Sequence, residues 1–103
     1  MPFDQAAFDK AVAAGEPVVV QFHADRCPTC KAQAPILSEL AKQPRFKNLV
    51  VFNVDFDSQK DALRGFKAQQ PSTLIVFKGG AEMGRSVGDT NKASIEALLA
   101  RAI

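Results

Sequence analysis

Two short runs of β-branched and apolar residues, PVVVQFH (17–23) and NLVVFNV (48–54), limit the fold of this chain more than any other feature. Runs of this kind are typical of strands that are buried on both faces of a sheet. Between them, residues 28–42 predict a helix with a kink at Pro35, because proline removes a backbone hydrogen bond inside a helix. The inner stripe of this helix is expected to carry Ala34, Leu37 and Ala41, with Ile36 and Leu40 beside it. Two parallel strands joined by a helix form a right-handed βαβ unit, so the sequence predicts an α/β protein.

Turn and cap residues extend this unit in both directions along the chain. The further predicted elements are a helix at 3–15, a helix at 58–68, strands at 72–78 and 82–87, and a helix after Gly88. Asp4 can cap the first helix, and Gly15 can end it in a left-handed conformation. Gly79-Gly80 predicts a β-hairpin between the two later strands. The resulting order αβαβαββα indicates a central four-stranded sheet with helices on both faces.

Length, composition and charge narrow the functional classes. The 103 residues make one domain of ordinary size, spanning 1–103, that can bury a core without disulfides or metals. The net charge is +2 and the basic residues form no cluster, which argues against nucleic-acid binding. The apolar stretches are too short to span a bilayer, and Asp4 and Asp9 stand where an export signal would be basic and apolar. We therefore expect a protein that binds neither nucleic acid nor membranes and is cytoplasmic, a trimmed exported protein being the alternative. We also expect a monomer.

The segment DRCPTCKAQAP contains both cysteines of the chain, Cys27 and Cys30. The predicted elements place Cys27 at the end of the strand–helix loop and Cys30 in the first helical turn, close enough to bridge. Pro28 suits the first helical position, since its missing N–H would have no partner there. The helix N-terminus, with Arg26 and Lys31 nearby, favours the thiolate of Cys27 over the thiol. This environment predicts an attacking Cys27 and a resolving Cys30.

Metal binding is the main alternative role for this pair. A zinc site needs about four ligands, whereas the sequence offers two cysteines and one histidine. A complete metal site within one chain is therefore disfavoured. A zinc ion or iron–sulfur cluster shared between two chains, with Cys27 and Cys30 as ligands, stays open, as does a redox-sensing dithiol.

Most of the chain resembles the thioredoxin family. VVVQFHADRCPTCKAQAPILSELA is similar to the family's strand, active-site loop and kinked helix, VVFNVD to its next strand, and STLIVFKGG followed by VGD to its closing hairpin. The resemblance implies a thioredoxin-like fold in which the strand at 72–78 is antiparallel to the first two, with the usual first strand absent or reduced to Pro2-Phe3. It also implies thiol–disulfide oxidoreductase activity, in which Cys27 attacks a disulfide of a protein or small molecule and Cys30 resolves the mixed disulfide. No organic cofactor would be needed, and electrons would come from a thioredoxin reductase-like enzyme or from glutathione.

Two departures from the family pattern concern the dithiol itself. The dipeptide Pro28-Thr29 differs from the Gly-Pro of standard thioredoxins and predicts a less reducing potential. Gln21 stands where the family has a buried aspartate that assists deprotonation of the resolving cysteine, and Phe52 stands where a lysine often accompanies that aspartate. An amide cannot take a proton at neutral pH, so we expect slow resolution by Cys30. The alternative is that Gln21 is simply a hydrogen-bonded core amide.

A third departure lies in the loop opposite the dithiol, where the family has a cis-proline. Ser72 occupies that position and Pro71 precedes it. A cis bond before a non-proline residue costs about 2.5–4 kcal/mol, so we expect a trans bond at Ser72 and leave the Gln70–Pro71 bond open. By resemblance, Pro71, Ser72 and Thr73, with Gly88 across the groove, would form the substrate-binding rim.

His23 and Arg26 occupy two positions where the family places tryptophans, and the sequence has neither Trp nor Tyr. His23 could modulate the thiolate by changing its charge near neutral pH, although a packed, neutral core histidine is the simpler expectation. Arg26 directly precedes the first cysteine. We expect it at the mouth of the site, where its charge would favour the thiolate and acidic partners.

Overall fold

A computed structural model describes residues 2–103 of the protein. Its elements in chain order are α1 (Gln5–Ala13), β1 (Val18–His23), α2 (Pro28–Ala41), β2 (Val50–Asp55), α3 (Lys60–Phe66), β3 (Thr73–Lys78), β4 (Ala81–Val87) and α4 (Lys92–Ala100), with a short 3-10 helix at Pro44–Phe46. The predicted order αβαβαββα is therefore observed, with small shifts at the ends of the elements. None of the helices in this part of the chain has the length and apolar character that crossing a membrane requires.

The four strands form one mixed sheet in the order β2-β1-β3-β4. β1 and β2 are parallel and in register, from Val18 opposite Val50 to His23 opposite Asp55. β3 is antiparallel to both β1 and β4, which confirms the direction that the family resemblance implied. The carboxyl ends of β1 and β2 therefore lie side by side, and the cysteine segment follows β1 at this end of the sheet.

The family's usual first strand is reduced to a single bridge, as expected. Pro2 pairs with Asn53 in the parallel direction, and the Phe3 N–H donates to the Asn53 carbonyl at 2.8 Å. β2 is consequently an edge strand, in which Phe52 and Val54 are buried, Val51 is half-buried, and Asn53 and Asp55 are exposed. The expectation that this strand is buried on both faces is therefore wrong, because an open pocket beside α2 leaves Asn53 and Asp55 uncovered on one face.

Caps and turns lie where the sequence predicts them. The Asp4 side chain caps α1 by accepting the Ala7 N–H at 3.2 Å. Gly79 and Gly80 form the β3–β4 turn with φ values of +60° and +84°. Positive φ at both central residues matches the right-handed twist of a hairpin, and glycine adopts it at no steric cost.

The two faces of the sheet carry different cores. On the face covered by α1 and α3 the core is aromatic, and its buried phenylalanines are Phe3, Phe8, Phe22, Phe52 and Phe77. On the face covered by α2 and α4 the core is mostly aliphatic, and includes Val19, Leu40, Leu74, Ile95 and Leu99. Helices therefore pack on both faces of the sheet, as the sequence predicts.

The buried stripe of α2 differs from the predicted one. It consists of Cys30, Gln33, Leu37 and Leu40. Ala34 is exposed and Ala41 is only half-buried, so two of the three positions predicted for the inner stripe are wrong. The buried positions alternate by three and four residues from Cys30, which faces the sheet, and this stripe leaves Ala34 and Ala41 at its margin.

Candidate active site

Cys27 is the N-cap residue of α2. Its backbone is extended, with φ −91° and ψ 108°, and its sulfur accepts the Cys30 N–H at 3.1 Å. Pro28 follows at the first helical position, where a missing N–H leaves no hydrogen bond unmade. Both cysteines are free thiols, and Cys27 is partly exposed. The Cys27 sulfur therefore stands at the helix N-terminus, where backbone N–H groups point outwards and a substrate can reach it.

Cys30 is in the opposite situation, because its side chain has no exposed surface. Its sulfur lies 3.7 Å from the Phe22 carbonyl at the end of β1. Burial raises the pKa of the Cys30 thiol, and the hydrogen bond with Cys27 raises it further, while the backbone of Ala24 and of Ser72 lowers it in part. Cys30 is therefore held as a protonated thiol behind Cys27.

Arg26 lies at the mouth of the site, and its charge is paired. Its Nη1 donates to the Asp57 carboxylate at 2.8 Å, and the two side chains are 75% and 42% exposed. Asp57 is held by the turn after β2, where its backbone N–H donates to the Asp55 carboxylate at 2.9 Å. That hydrogen bond is the main reason why the pKa of Asp55 is lowered. Sequence reasoning did not single out Asp57, although the parallel β1 and β2 bring the residues after both strands together.

The three other residues next to the cysteines in sequence lie at the protein surface. Pro28 and Lys31 are exposed, and Thr29 is half-buried. These three side chains therefore belong to the surface that surrounds Cys27.

Gln21 and His23 lie on the face of β1 that carries α2, and both line a pocket of about 780 Å³ between α2 and β2. Gln21 is buried, with 6% exposure. The His23 side chain is 36% exposed, and its Nε2 lies 3.4 Å from the Asp25 carboxylate. His23 is therefore not the fully packed core histidine that the sequence led us to expect, because it is the last residue of β1 and faces the open pocket.

The loop opposite the dithiol is held by the backbone of Ser72. Within residues 2–103 there is no cis peptide bond, so the expected trans bond at Ser72 is confirmed and the Gln70–Pro71 bond is also trans. Ser72 has a left-handed conformation with φ +65°. Its N–H donates to the Phe22 carbonyl at 2.8 Å, and its own carbonyl accepts the Gly88 N–H at 3.1 Å.

The predicted substrate rim is unevenly exposed. Pro71 is half-buried and Gly88 is exposed, whereas Ser72 and Thr73 have only 5% and 2% exposure. The Thr73 hydroxyl is also used internally, because it donates to the Gln70 carbonyl at 2.7 Å. Pro71 and Gly88 are therefore the parts of this rim that an incoming molecule can reach.

Gln33 is the residue of the site that sequence reasoning missed. It is fully buried on α2, one turn after Cys30. Its Nε2 donates to the Ser72 carbonyl at 3.0 Å and to the Asp89 carbonyl at 2.8 Å. The only sequence signal was the helical spacing from Cys30, which places an amide on the face that packs against the sheet.

No group of three or more His, Cys, Asp or Glu side chains suited to a metal ion occurs among the residues that the structure describes. The two thiols would supply two ligands, and any shared centre would need the others from a second chain.

Comparison with known proteins places this geometry among redox proteins. A family model described as Thioredoxin matches residues 1–101. A thioredoxin from Mycobacterium bovis is 37% identical over 84 residues, which are 82% of this chain and 72% of that protein. The crystal structure of Trxlp from Edwardsiella tarda is 45% identical, with a TM-score of 0.93 over 95% of each chain. A bifunctional thioredoxin reductase/thioredoxin from Mycobacterium leprae is 35% identical over 92 residues, and this chain spans only 20% of its length.

Proposed function

The chain belongs to the thioredoxin family of thiol–disulfide oxidoreductases, and we propose that Cys27 and Cys30 are its reacting dithiol. The Cys27 thiolate attacks one sulfur of a substrate disulfide, which forms a mixed disulfide and releases one substrate thiolate. Cys30 then attacks the Cys27 sulfur, so that the Cys27–Cys30 bond forms and the second substrate thiolate leaves. The substrate gains two electrons and the protein loses two. The observation that carries this proposal is the Cys27 sulfur at the N-cap of α2, where it accepts the Cys30 N–H at 3.1 Å.

Reduction of insulin by dithiothreitol tests this assignment. The unsubstituted protein is expected to accelerate precipitation of the insulin B chain, and Cys27→Ser is expected to abolish the acceleration. Cys30→Ser keeps the attacking thiol, so it is expected to accumulate a mixed disulfide with the substrate that mass spectrometry detects. Acceleration that persists in Cys27→Ser would reject the assigned nucleophile.

The electron source is proposed to be a thioredoxin reductase-like enzyme or glutathione. The relative from Mycobacterium leprae joins thioredoxin reductase and thioredoxin in one printed name, which supports a reductase as donor. We place the protein as a monomer in the cytoplasm, where dithiols are kept reduced. NADPH consumption with a reductase, compared with consumption in a glutathione and glutathione reductase system, distinguishes the two donors.

The dipeptide between the cysteines is proposed to make the potential less reducing than that of standard thioredoxins. Pro28 is exposed and Thr29 is half-buried beside Cys27, so both can tune the thiolate without disturbing the core. Equilibration with glutathione redox buffers measures the potential. A value in or below the thioredoxin range, near −270 mV or lower, would reject this part of the proposal.

Gln21 is proposed to make the resolving step slow. It is buried on β1, and an amide cannot accept the proton that Cys30 must lose. Gln21→Asp supplies a group that can accept a proton, and is expected to accelerate resolution and change its pH profile. Gln21→Asn is the matched control, because it shortens the side chain equally without adding a base. An unchanged rate and pH profile in Gln21→Asp would mean that Gln21 is only a core amide.

The substrate is proposed to lie over Cys27, between the exposed edges of Pro71 and Gly88. Ser72 and Thr73 belong to the same rim, but act through their backbone because their side chains are buried. Gly88→Ala adds a methyl group where φ is +73°, and is expected to raise KM for a protein disulfide. An unchanged KM would remove Gly88 from the rim.

A further inference from the structure

The amide of Gln33 joins three parts of the chain behind the dithiol. One nitrogen, Nε2, donates to the Ser72 carbonyl, just before β3, and to the Asp89 carbonyl, just after β4. Gln33 has no exposed surface, and an amide is tolerated in such a place only when it is hydrogen-bonded. The bonds to two loop carbonyls therefore account for the presence of an amide on this face of α2.

The orientation of this amide is fixed by its partners. Two carbonyl oxygens accept hydrogen bonds and cannot donate them, so the nitrogen of Gln33 must face them. Its oxygen, Oε1, is buried and has no hydrogen-bond partner among the residues described. Leucine or methionine at this position would leave no acceptor unpaired. The structural contribution that only Gln33 makes is therefore the pair of hydrogen bonds that it donates.

One of these bonds restrains an unfavourable backbone conformation. Ser72 has φ +65°, which is strained for a residue with a Cβ atom. Three hydrogen bonds hold it there: the Phe22 carbonyl accepts its N–H at 2.8 Å, and its own carbonyl accepts from the Gly88 N–H at 3.1 Å and from the Gln33 side-chain amide at 3.0 Å. The Gln33 amide is the part of this restraint that comes from the same helix as the cysteines.

The Ser72 backbone also acts on the resolving thiol. The Phe22 carbonyl that accepts the Ser72 N–H lies 3.7 Å from the Cys30 sulfur. The Ser72 backbone lowers the pKa of Cys30 and so opposes part of the effect of burial. The Ser72 N–H and the Cys30 thiol therefore share one acceptor, the Phe22 carbonyl, so a firm bond from Ser72 weakens the hold of that carbonyl on the thiol proton.

We propose that Gln33 is a positioning residue for resolution: it holds the Ser72 carbonyl, and thereby keeps the Ser72 N–H on the Phe22 carbonyl that accepts from the Cys30 thiol. This inference rests on the proposed function of the dithiol. In the step concerned, the Cys30 thiol gives its proton to water, and the thiolate attacks the Cys27 sulfur of the mixed disulfide. The Cys27–Cys30 bond forms, the bond between Cys27 and the substrate breaks, and the substrate thiolate leaves and takes up a proton. Gln33 touches neither sulfur and acts only through Ser72.

The two steps can be timed separately with 5,5′-dithiobis(2-nitrobenzoate) mixed at equal concentration with the reduced protein. Attack by Cys27 releases one coloured thiolate, and resolution by Cys30 releases the second. In Gln33→Met we expect the second phase to slow by about fivefold. This is the effect of weakening one hydrogen bond, the one from the Ser72 N–H to the Phe22 carbonyl. Its pH midpoint is expected to move upwards, while the first phase stays unchanged. Leu40→Met is the matched control, because Leu40 is fully buried on the same stripe of α2 and is absent from this junction.

Each outcome of this experiment decides one question. An unchanged second phase with an unchanged pH midpoint overturns the role of Gln33 and leaves the proposed function intact, because both phases still occur. Equal slowing of both phases also overturns it, since that is the signature of general destabilisation. Absence of both phases in the unsubstituted protein would overturn the proposed function itself. Should Gln33→Met not fold, Gln33→Leu gives the same comparison, because leucine also removes both donated hydrogen bonds.

Discussion

Cys27 and Cys30 share one helical turn, yet their surroundings are built in different ways. Cys27 is partly exposed, caps α2, and owes its environment to the helix start and to Pro28 beside it. Cys30 is fully buried; its sulfur lies 3.7 Å from the Phe22 carbonyl on β1, and that carbonyl also accepts the Ser72 N–H before β3. The attacking thiol therefore depends on local sequence, whereas the resolving thiol depends on contacts that only the complete fold provides.

The largest effect expected from this difference is in reactivity towards an alkylating reagent. Iodoacetamide reacts with a thiolate that it can reach, so the reduced native protein should be modified at Cys27 and not at Cys30. We expect the two rates to differ by about a hundredfold or more, because Cys30 combines burial with a raised pKa. Peptide mass spectrometry measures both sites, and the same reaction in denaturant should label both equally. Equal labelling in the native protein would contradict the comparison.

The next effect in size concerns the loop that supports Cys30. Ser72→Pro restores the residue type of the family, but proline fixes φ near −65° whereas Ser72 has φ +65°. Proline also lacks the N–H that Ser72 donates to the Phe22 carbonyl. We expect the free energy of unfolding to fall by about 3 kcal/mol or more, as measured by urea denaturation. Ser72→Gly is the control, and is expected to stay within about 1 kcal/mol, because glycine adopts positive φ freely.

The same contrast explains which parts of the site could be predicted from the sequence. The surroundings of Cys27 follow from a few consecutive residues, and the helix start, Pro28 and the placement of Arg26 were all predictable. The partners of Gln33 are 39 and 56 positions away along the chain, and the partner of Arg26 is 31 positions away. No local pattern indicates such pairs. The hydrogen bonds from Gln33 to the Ser72 and Asp89 carbonyls, and the ion pair of Arg26 with Asp57, could therefore be found only in the structure.

The fold shows a similar division. Buried runs, caps and Gly79-Gly80 predicted the elements, because these signals lie within each element. The antiparallel direction of β3 came from the family resemblance, since spacing alone does not determine it. The burial of β2 was predicted wrongly, because it depends on how far α2 covers this edge of the sheet, and an open pocket lies between them.

A smaller effect is expected in the pH dependence of stability of the reduced protein. The pKa of Cys30 is raised in the folded state, so the native protein binds this proton more tightly than the unfolded chain does. The resulting stabilisation is fully present below the unfolded-state pKa, about 8.5, and is lost as the pH rises through the higher folded-state pKa. Urea denaturation of the reduced protein and of Cys30→Ala between pH 7 and about pH 10.5 measures it. The stability difference between the two should be constant near neutral pH and fall above about pH 8.5. A difference that stays flat, or that rises with pH, would mean that the folded protein does not favour the protonated thiol.

The smallest effect is expected on the Cys27 side, at the ion pair between Arg26 and Asp57. Both side chains are largely exposed, so the pair is worth about 0.2–1 kcal/mol and is screened by salt. Asp57→Asn should therefore change the stability by less than about 1 kcal/mol, while it releases the guanidinium charge at the mouth of the site. Glu96→Gln is the matched control, because Arg45 and Glu96 form a comparable exposed pair on the 3-10 helix and α4.

The charge of Arg26 is expected to change the rate of attack by Cys27 only when the substrate is charged. With the anionic disulfide 5,5′-dithiobis(2-nitrobenzoate), Asp57→Asn should speed the first phase by about two- to threefold at low salt, and Arg26→Gln should slow it by a similar factor. With the neutral 2-hydroxyethyl disulfide neither substitution should change the rate, and added salt should remove the differences seen with the anion. Equal changes with both disulfides would show that Asp57 alters the shape of the mouth and not its charge. Arg26 would then no longer account for a preference for acidic partners, and the environment of Cys27 would depend on the helix N-terminus alone.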